Sequence, residues 1–83
     1  MVKVLFFAGL REALGTSAEE LPLPAGVATV GGLRDHIAAR GEPWLALTRT
    51  RNLRAAVNQA IANPQTPVAD GDEVAFFPPV TGG

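Results

Sequence analysis

The chain has 83 residues, 47% apolar and 18% charged, with a formal net charge of -1. A domain of this length buries only about 60–65% of the surface its unfolded form exposes, which leaves one core and little room for a deep cleft, and near-balanced charge carries no nucleic-acid footprint. Cysteine is absent, which excludes disulfides, thiolate metal sites, iron-sulfur clusters and a thiol nucleophile.

The opening stretch Val2 to Phe7 is short and rich in β-branched and aromatic residues, the signature of a strand, and apolar character at nearly every position places it centrally in a sheet. Arg11 and Glu12 interrupt it too early for a secretory core or a membrane span, so no membrane partner is expected and the chain reads as cytoplasmic. Leu10, Ala13 and Leu14 recur at helical spacing before Gly15, giving a short helix. Leu21-Pro22-Leu23-Pro24 alternates, but its prolines demote it to an edge strand. Thr29 is a suitable N-cap, and Val30, Leu33 and Ile37 fall at i, i+3 and i+7 before Gly41, marking the main amphipathic helix, with Gly31-Gly32 weakening its first turn. Pro43 to Leu47 is compatible with a helical turn, and Thr48 to Asn52 with a solvated loop. Leu53 to Ala62 is strand-compatible around Ala56-Val57-Asn58 and closes on the Asn63-Pro64 turn. Asp70-Gly71-Asp72 turns the chain into a last strand, Glu73 to Phe77, stopped by Pro78-Pro79. The main elements are therefore strand, strand, helix, strand, strand.

One helix covers one face of such a sheet. Period-2 geometry sends the adjacent Phe76 and Phe77 to opposite faces. With Val4, Phe6, Val74 and Phe76 under the helix, Leu5, Phe7, Ala75 and Phe77 share the other face with Lys3. Two readings of that apolar face stand: a partner surface, or a face covered by the segment around Trp44.

After the last strand the chain runs Pro78, Pro79, Val80, Thr81, Gly82, Gly83. A terminal Gly pair alone says little. Following a hydrophobic strand and two prolines that favour an extended exit, it ends a segment able to reach roughly 20 Å from the body. Glycine at the tip presents no Cβ, so backbone and carboxylate can enter a narrow channel. A carboxylate is a poor electrophile. Adenylation supplies a leaving group, and a sulfur donor displacing AMP leaves a thiocarboxylate with a nucleophilic sulfur. The competing reading is a terminus without a role.

The start Val2-Lys3-Val4-Leu5-Phe6-Phe7-Ala8 with Leu10-Arg11-Glu12, the Thr29-Val30 helix entry with Leu33-Arg34, the segment Ala55-Ala56-Val57-Asn58-Gln59, and above all Asp70 to Gly83 resemble the small, sulfur-carrier subunit of molybdopterin synthase. The resemblance spans nearly the whole chain. It implies an α+β, β-grasp (ubiquitin-like) fold: a mixed sheet with one main helix packed on one face over residues 1–77, and an extended flexible tail over 78–83. It further implies that Gly83 is adenylated by a ubiquitin-activating-type enzyme that uses ATP, and that a sulfur donor converts it to a thiocarboxylate. The tail Pro78 to Gly82 then inserts into the large synthase subunit. There the sulfur passes to a cyclic pyranopterin phosphate precursor to build the molybdopterin dithiolene. The chain itself would bind no cofactor and supply no catalytic side chain. Phe7, Ile61 and Phe77 match positions that pack on the large subunit, Ile61 by resemblance alone. Thiamine-type sulfur delivery, a ubiquitin-like protein modifier and a plain interaction module using the Phe7 and Phe77 face are the alternatives.

Other polar residues read as structural. His36 stands alone on the flank of the main helix. Arg49, Arg51 and Arg54 suit a solvated loop better than a basic patch. Asp70 and Asp72 straddle Gly71 as turn formers, and Trp44 reads as core cover.

Overall fold

The computed structural model describes residues 1–79. Chain order is β1 (Val2–Phe6), α1 (Ala8–Leu14), β2 (Ala18–Leu21), α2 (Val30–Ala38), α3 (Ala46–Arg49), β3 (Arg54–Val57), β4 (Ala60–Ala62) and β5 (Glu73–Phe77). The five strands form one sheet in the order β2-β1-β5-β3-β4. β1 and β5 run parallel at its centre, and every other pairing is antiparallel. This mixed sheet with a main helix across one face is the β-grasp arrangement expected above.

The core follows from strand alternation. Val2, Val4 and Phe6 of β1 and Val74 and Phe76 of β5 are buried, and they meet Leu33 and Ile37 of α2, Leu10 and Leu14 of α1 and Leu47 of α3 in a single cluster. All three helices thus sit on one side of the sheet. Helix α2 begins where the sequence places it: Thr29 Oγ1 accepts from the Gly32 amide at 3.1 Å. Its other free amides are also satisfied, Val30 donating to the Thr66 carbonyl and Gly31 to that of Pro64. A side chain at Gly31 would press on Pro64, with a Cβ only 3.1 Å from the carbonyl oxygen. Gly31 therefore serves a close approach between helix and loop. Gly15 ends α1 in the left-handed region, φ 73°, where its missing Cβ removes the steric cost.

Three expectations need correction. The second strand is Ala18–Leu21, not a segment centred on Leu21 to Leu23. It is an edge strand, but Pro22 and Pro24 follow it, because a residue without an N–H ends pairing more readily than it joins it. The Leu53 to Ala62 stretch is not one strand but the β3–β4 hairpin, so the sheet has five strands and not four. Its two-residue connection, Asn58-Gln59, has φ of 49° and 70°, the backbone sign of a type I′ turn made without glycine. Asn58 secures it, its Oδ1 accepting from the Glu73 amide at 3.0 Å and its Nδ2 donating to Asp72 at 3.1 Å. The supposed loop from Thr48 carries the end of α3, and Arg54 lies in β3. Of the two readings of the second face, cover by the segment around Trp44 is the one the structure does not have, while Trp44 packs against the core as expected. Its ring lies 6.0 Å from Phe6, on the helical side, with the Arg40 guanidinium 4.7 Å above it.

Candidate functional site

The register lines up the uncovered face in rows across the strands. Ala18 of β2 pairs with Leu5, Leu5 with Ala75, Ala75 with Ala56, and Ala56 with Ile61 of β4. An apolar row therefore crosses all five strands. One row toward the start of β1 the pattern turns polar, with Lys3 facing Glu20 on one side and Glu73 on the other. One row in the other direction Arg54 pairs with Phe77, and Phe7 follows β1 as the residue before α1. Alanine on the inner strands keeps the middle of the row low, while Leu5 and Ile61 rise on either side of it.

The three residues expected to pack on a partner are placed as follows. Phe7 is 45% exposed and Ile61 68%, both large apolar side chains left in water. Phe77 is half-buried at the end of β5. Phe7 is held by the backbone: its amide donates to the Phe76 carbonyl at 3.2 Å, and its own carbonyl accepts from Leu10 and Arg11. The next residue, Ala8, has φ 54°, a left-handed conformation costing an alanine about 1 kcal/mol. That turn reverses the chain into α1 and leaves the Phe7 ring outside the core. Pro78 and Pro79, half-buried, follow Phe77 directly. Val80, Thr81, Gly82 and Gly83, the rest of the predicted tail and its reactive end, lie outside the described residues.

Among the described residues the ion pairs are the N-terminal amine with Asp70, Arg34 with Asp35, Arg40 with Glu19, and Arg49 with Glu42. Arg40 grips Glu19 with two bonds, 2.9 and 2.5 Å, tying edge strand β2 to the segment after α2. The hydrogen bond from Arg40 holds the Glu19 carboxyl below its usual range. Asp72 is likewise lowered, first by the Ala69 amide and then by Asn58, as befits a turn former. His36 is exposed on α2.

Nothing among the described residues resembles a catalytic cleft. The depression between α2 and the β3–β4 hairpin, floored by Phe76 and rimmed by Arg34 and Asn63, holds about 20 Å³, room for one water. Among the described residues no group of three or more His, Cys, Asp or Glu is gathered in a metal-holding arrangement, and no helix is long and apolar enough to cross a membrane. What the described residues offer is an apolar surface, with Pro78 and Pro79 following its central strand β5. Sequence parity found Leu5, Phe7, Ala75 and Phe77. It missed Ala18, Ala56 and Arg54 because their placement depends on strand pairing.

Comparison with known proteins agrees with that geometry. The model of the ThiS family matches residues 4–83. The molybdopterin synthase sulfur carrier subunit of Escherichia coli (strain K12) is 52% identical over 83 residues, covering all of both chains. The protein of the same description from Haemophilus influenzae is 42% identical over 83 residues, again covering both chains fully. Among solved structures, SAMP1 (small archaeal modifier protein 1) from Haloferax volcanii superposes with a TM-score of 0.77 at 30% identity, covering 99% of this chain and 98% of that one.

Proposed function

The chain belongs to the ThiS family, and from that premise we propose that it is the sulfur-carrier subunit of a molybdopterin synthase, working through the carboxylate of Gly83. The observation that carries this reading is the match to a relative of that description at 52% identity from end to end of both chains. The structure supports it with an uncovered apolar row whose central strand, β5, leads at Phe77 into Pro78 and Pro79.

The chemistry divides among partners. In a ubiquitin-activating-type enzyme the Gly83 carboxylate attacks the α-phosphorus of ATP, pyrophosphate leaves, and an acyl-adenylate forms. A sulfide-level donor attacks the acyl carbon, AMP leaves with the C–O electron pair, and a thiocarboxylate remains. Leu5, Phe7, Ile61 and Phe77 dock on the large synthase subunit, which buries apolar surface at roughly 25 cal/mol per Å². Docking turns delivery of the tail into an effectively unimolecular step. Val80 to Gly83 then bring the sulfur to a cyclic pyranopterin phosphate in a site that excludes water. This chain contributes the docking surface, the reach of the tail and the acyl carbon, and no side chain of it needs to transfer a proton.

The test is intact mass. Incubation with ATP, the adenylating enzyme and a sulfide donor should replace one oxygen by sulfur at Gly83. Release of pyrophosphate with no such replacement would refute the carrier reading. The likeness to small archaeal modifier protein 1 favours a second reading, a protein modifier, which predicts Gly83 joined to lysines of other proteins and no thiocarboxylate.

A further inference from the structure

The seven basic side chains of this chain are one lysine, Lys3, and six arginines. Lysine can present a free amine, whereas arginine stays protonated and is a poor nucleophile. A chain end that is activated as an acyl-adenylate is readily attacked by amines, so the placing of the one lysine has chemical consequences. Lys3 is exposed in mid-strand on the uncovered face. None of the ion pairs among the described residues engages it. Its register neighbours are two carboxylates, Glu20 on antiparallel β2 and Glu73 on parallel β5, the former at about the 4.5–5.5 Å Cβ spacing of antiparallel pairs. They are placed to accept a proton.

We propose that Lys3 is an acylation site for the activated terminus of a second copy of this chain. The proposal rests on the reading of Gly83 as the activated end. The Lys3 Nζ lone pair attacks the acyl carbon of the incoming Gly83, a C–N bond forms, AMP leaves with the C–O electron pair, and the proton lost by nitrogen passes to Glu20 or Glu73. The product is an isopeptide. A second copy, rather than the chain's own tail, is the donor because of the parallel pairing of β1 with β5. Lys3 stands opposite Glu73, four residues and roughly 13 Å back from Phe77, and two prolines resist the immediate reversal needed to return along the sheet. The linkage lies one row from Leu5 and Ala75, so it blocks the docking face. Unused activated chains would thereby withdraw each other from docking, and a docked chain, its Lys3 covered, would be exempt.

The test does not depend on the adenylating enzyme. The full chain is prepared with a C-terminal thioester and incubated alone at mildly alkaline pH, where a thiol replaces AMP as the leaving group. The expected product is two chains joined with loss of the thiol, formed at a rate that rises with concentration, with digestion placing the bond at Lys3. Lys3→Arg replaces the amine by a guanidinium, which is a poor nucleophile, and should cut this product at least about tenfold. The proposal is overturned by a joined product undiminished in Lys3→Arg, by a chain closed on itself, or by hydrolysis alone while hydroxylamine captures the same thioester. Failure of the enzymatic oxygen-for-sulfur exchange would instead count against the carrier reading and leave the thioester result standing.

Discussion

Ile61 separates binding from folding. It is 68% exposed at the β4 end of the apolar row, paired with Ala56. Complete burial of such a side chain contributes about 1.5–3 kcal/mol. The exposed two-thirds is what a partner would still cover, so Ile61→Ala should weaken docking by about 1–2 kcal/mol, or about 5- to 30-fold in Kd. The isolated chain should barely notice, since substitutions on a water-facing surface fall within about 0.5 kcal/mol. Titration calorimetry against the large synthase subunit gives the first quantity and urea unfolding the second. An unchanged Kd would remove Ile61 from the docking surface. A stability loss above about 1 kcal/mol would show that the residue belongs to the core, contrary to its exposure.

Phe76→Ala is the reverse case: Phe76 is 1% exposed in the centre of the core, and the variant should lose about 3–5 kcal/mol in urea unfolding, enough to unfold much of a small domain. Gly31→Ala should be destabilising although alanine favours helix by about 1 kcal/mol. Its Cβ would stand 3.1 Å from the Pro64 oxygen, and overpacking costs about 1–3 kcal/mol, a net loss on the order of 1 kcal/mol measurable as a lower unfolding midpoint. Gln59→Gly should stabilise by roughly 0.5 kcal/mol, because φ of 70° suits glycine and Asn-Gly is the preferred I′ pair; a loss of stability would contradict the turn assignment. The Glu19 carboxyl is held below its unfolded value by Arg40. Its stabilisation is therefore present above the unfolded pKa and lost as pH falls through the lower folded one. Glu19→Gln should accordingly show a shallower acid-side fall in stability than the parent chain, and parallel curves would count against the pairing.

The parts legible in the sequence are those dictated by local periodicity. Val30, Leu33 and Ile37 specify α2, Thr29 its start, and the adjacency of Phe76 and Phe77 requires a sheet with two different apolar faces. The parts that were not legible depend on contacts distant in sequence. Asn58-Gln59 lacks the glycine that signals a hairpin, and its left-handed residues are supported by Asn58 bonding to Asp72 and Glu73, fourteen and fifteen residues on. Without that contact the stretch reads as one strand. Trp44 has a ring suited to either face, and only its neighbours Phe6 and Arg40 decide that it joins the helical side. Arg54 reads as loop until its register with Phe77 is known.

These corrections bear on the site more than on the fold. Splitting Leu53 to Ala62 into a hairpin puts Ile61 opposite Ala56, so a residue that strand parity alone did not place falls on the same row as Leu5 and Ala75. Seating Trp44 beneath Phe6 leaves that row in water. Both changes favour the partner surface over the covered face, since burying Leu5 and Ile61 inside this chain would need a further element on the second face, and all three helices are already committed to the first. Among the described residues the helices pack on one face of a sheet whose two faces are both apolar, and the proposed docking of a partner fits the face they leave exposed.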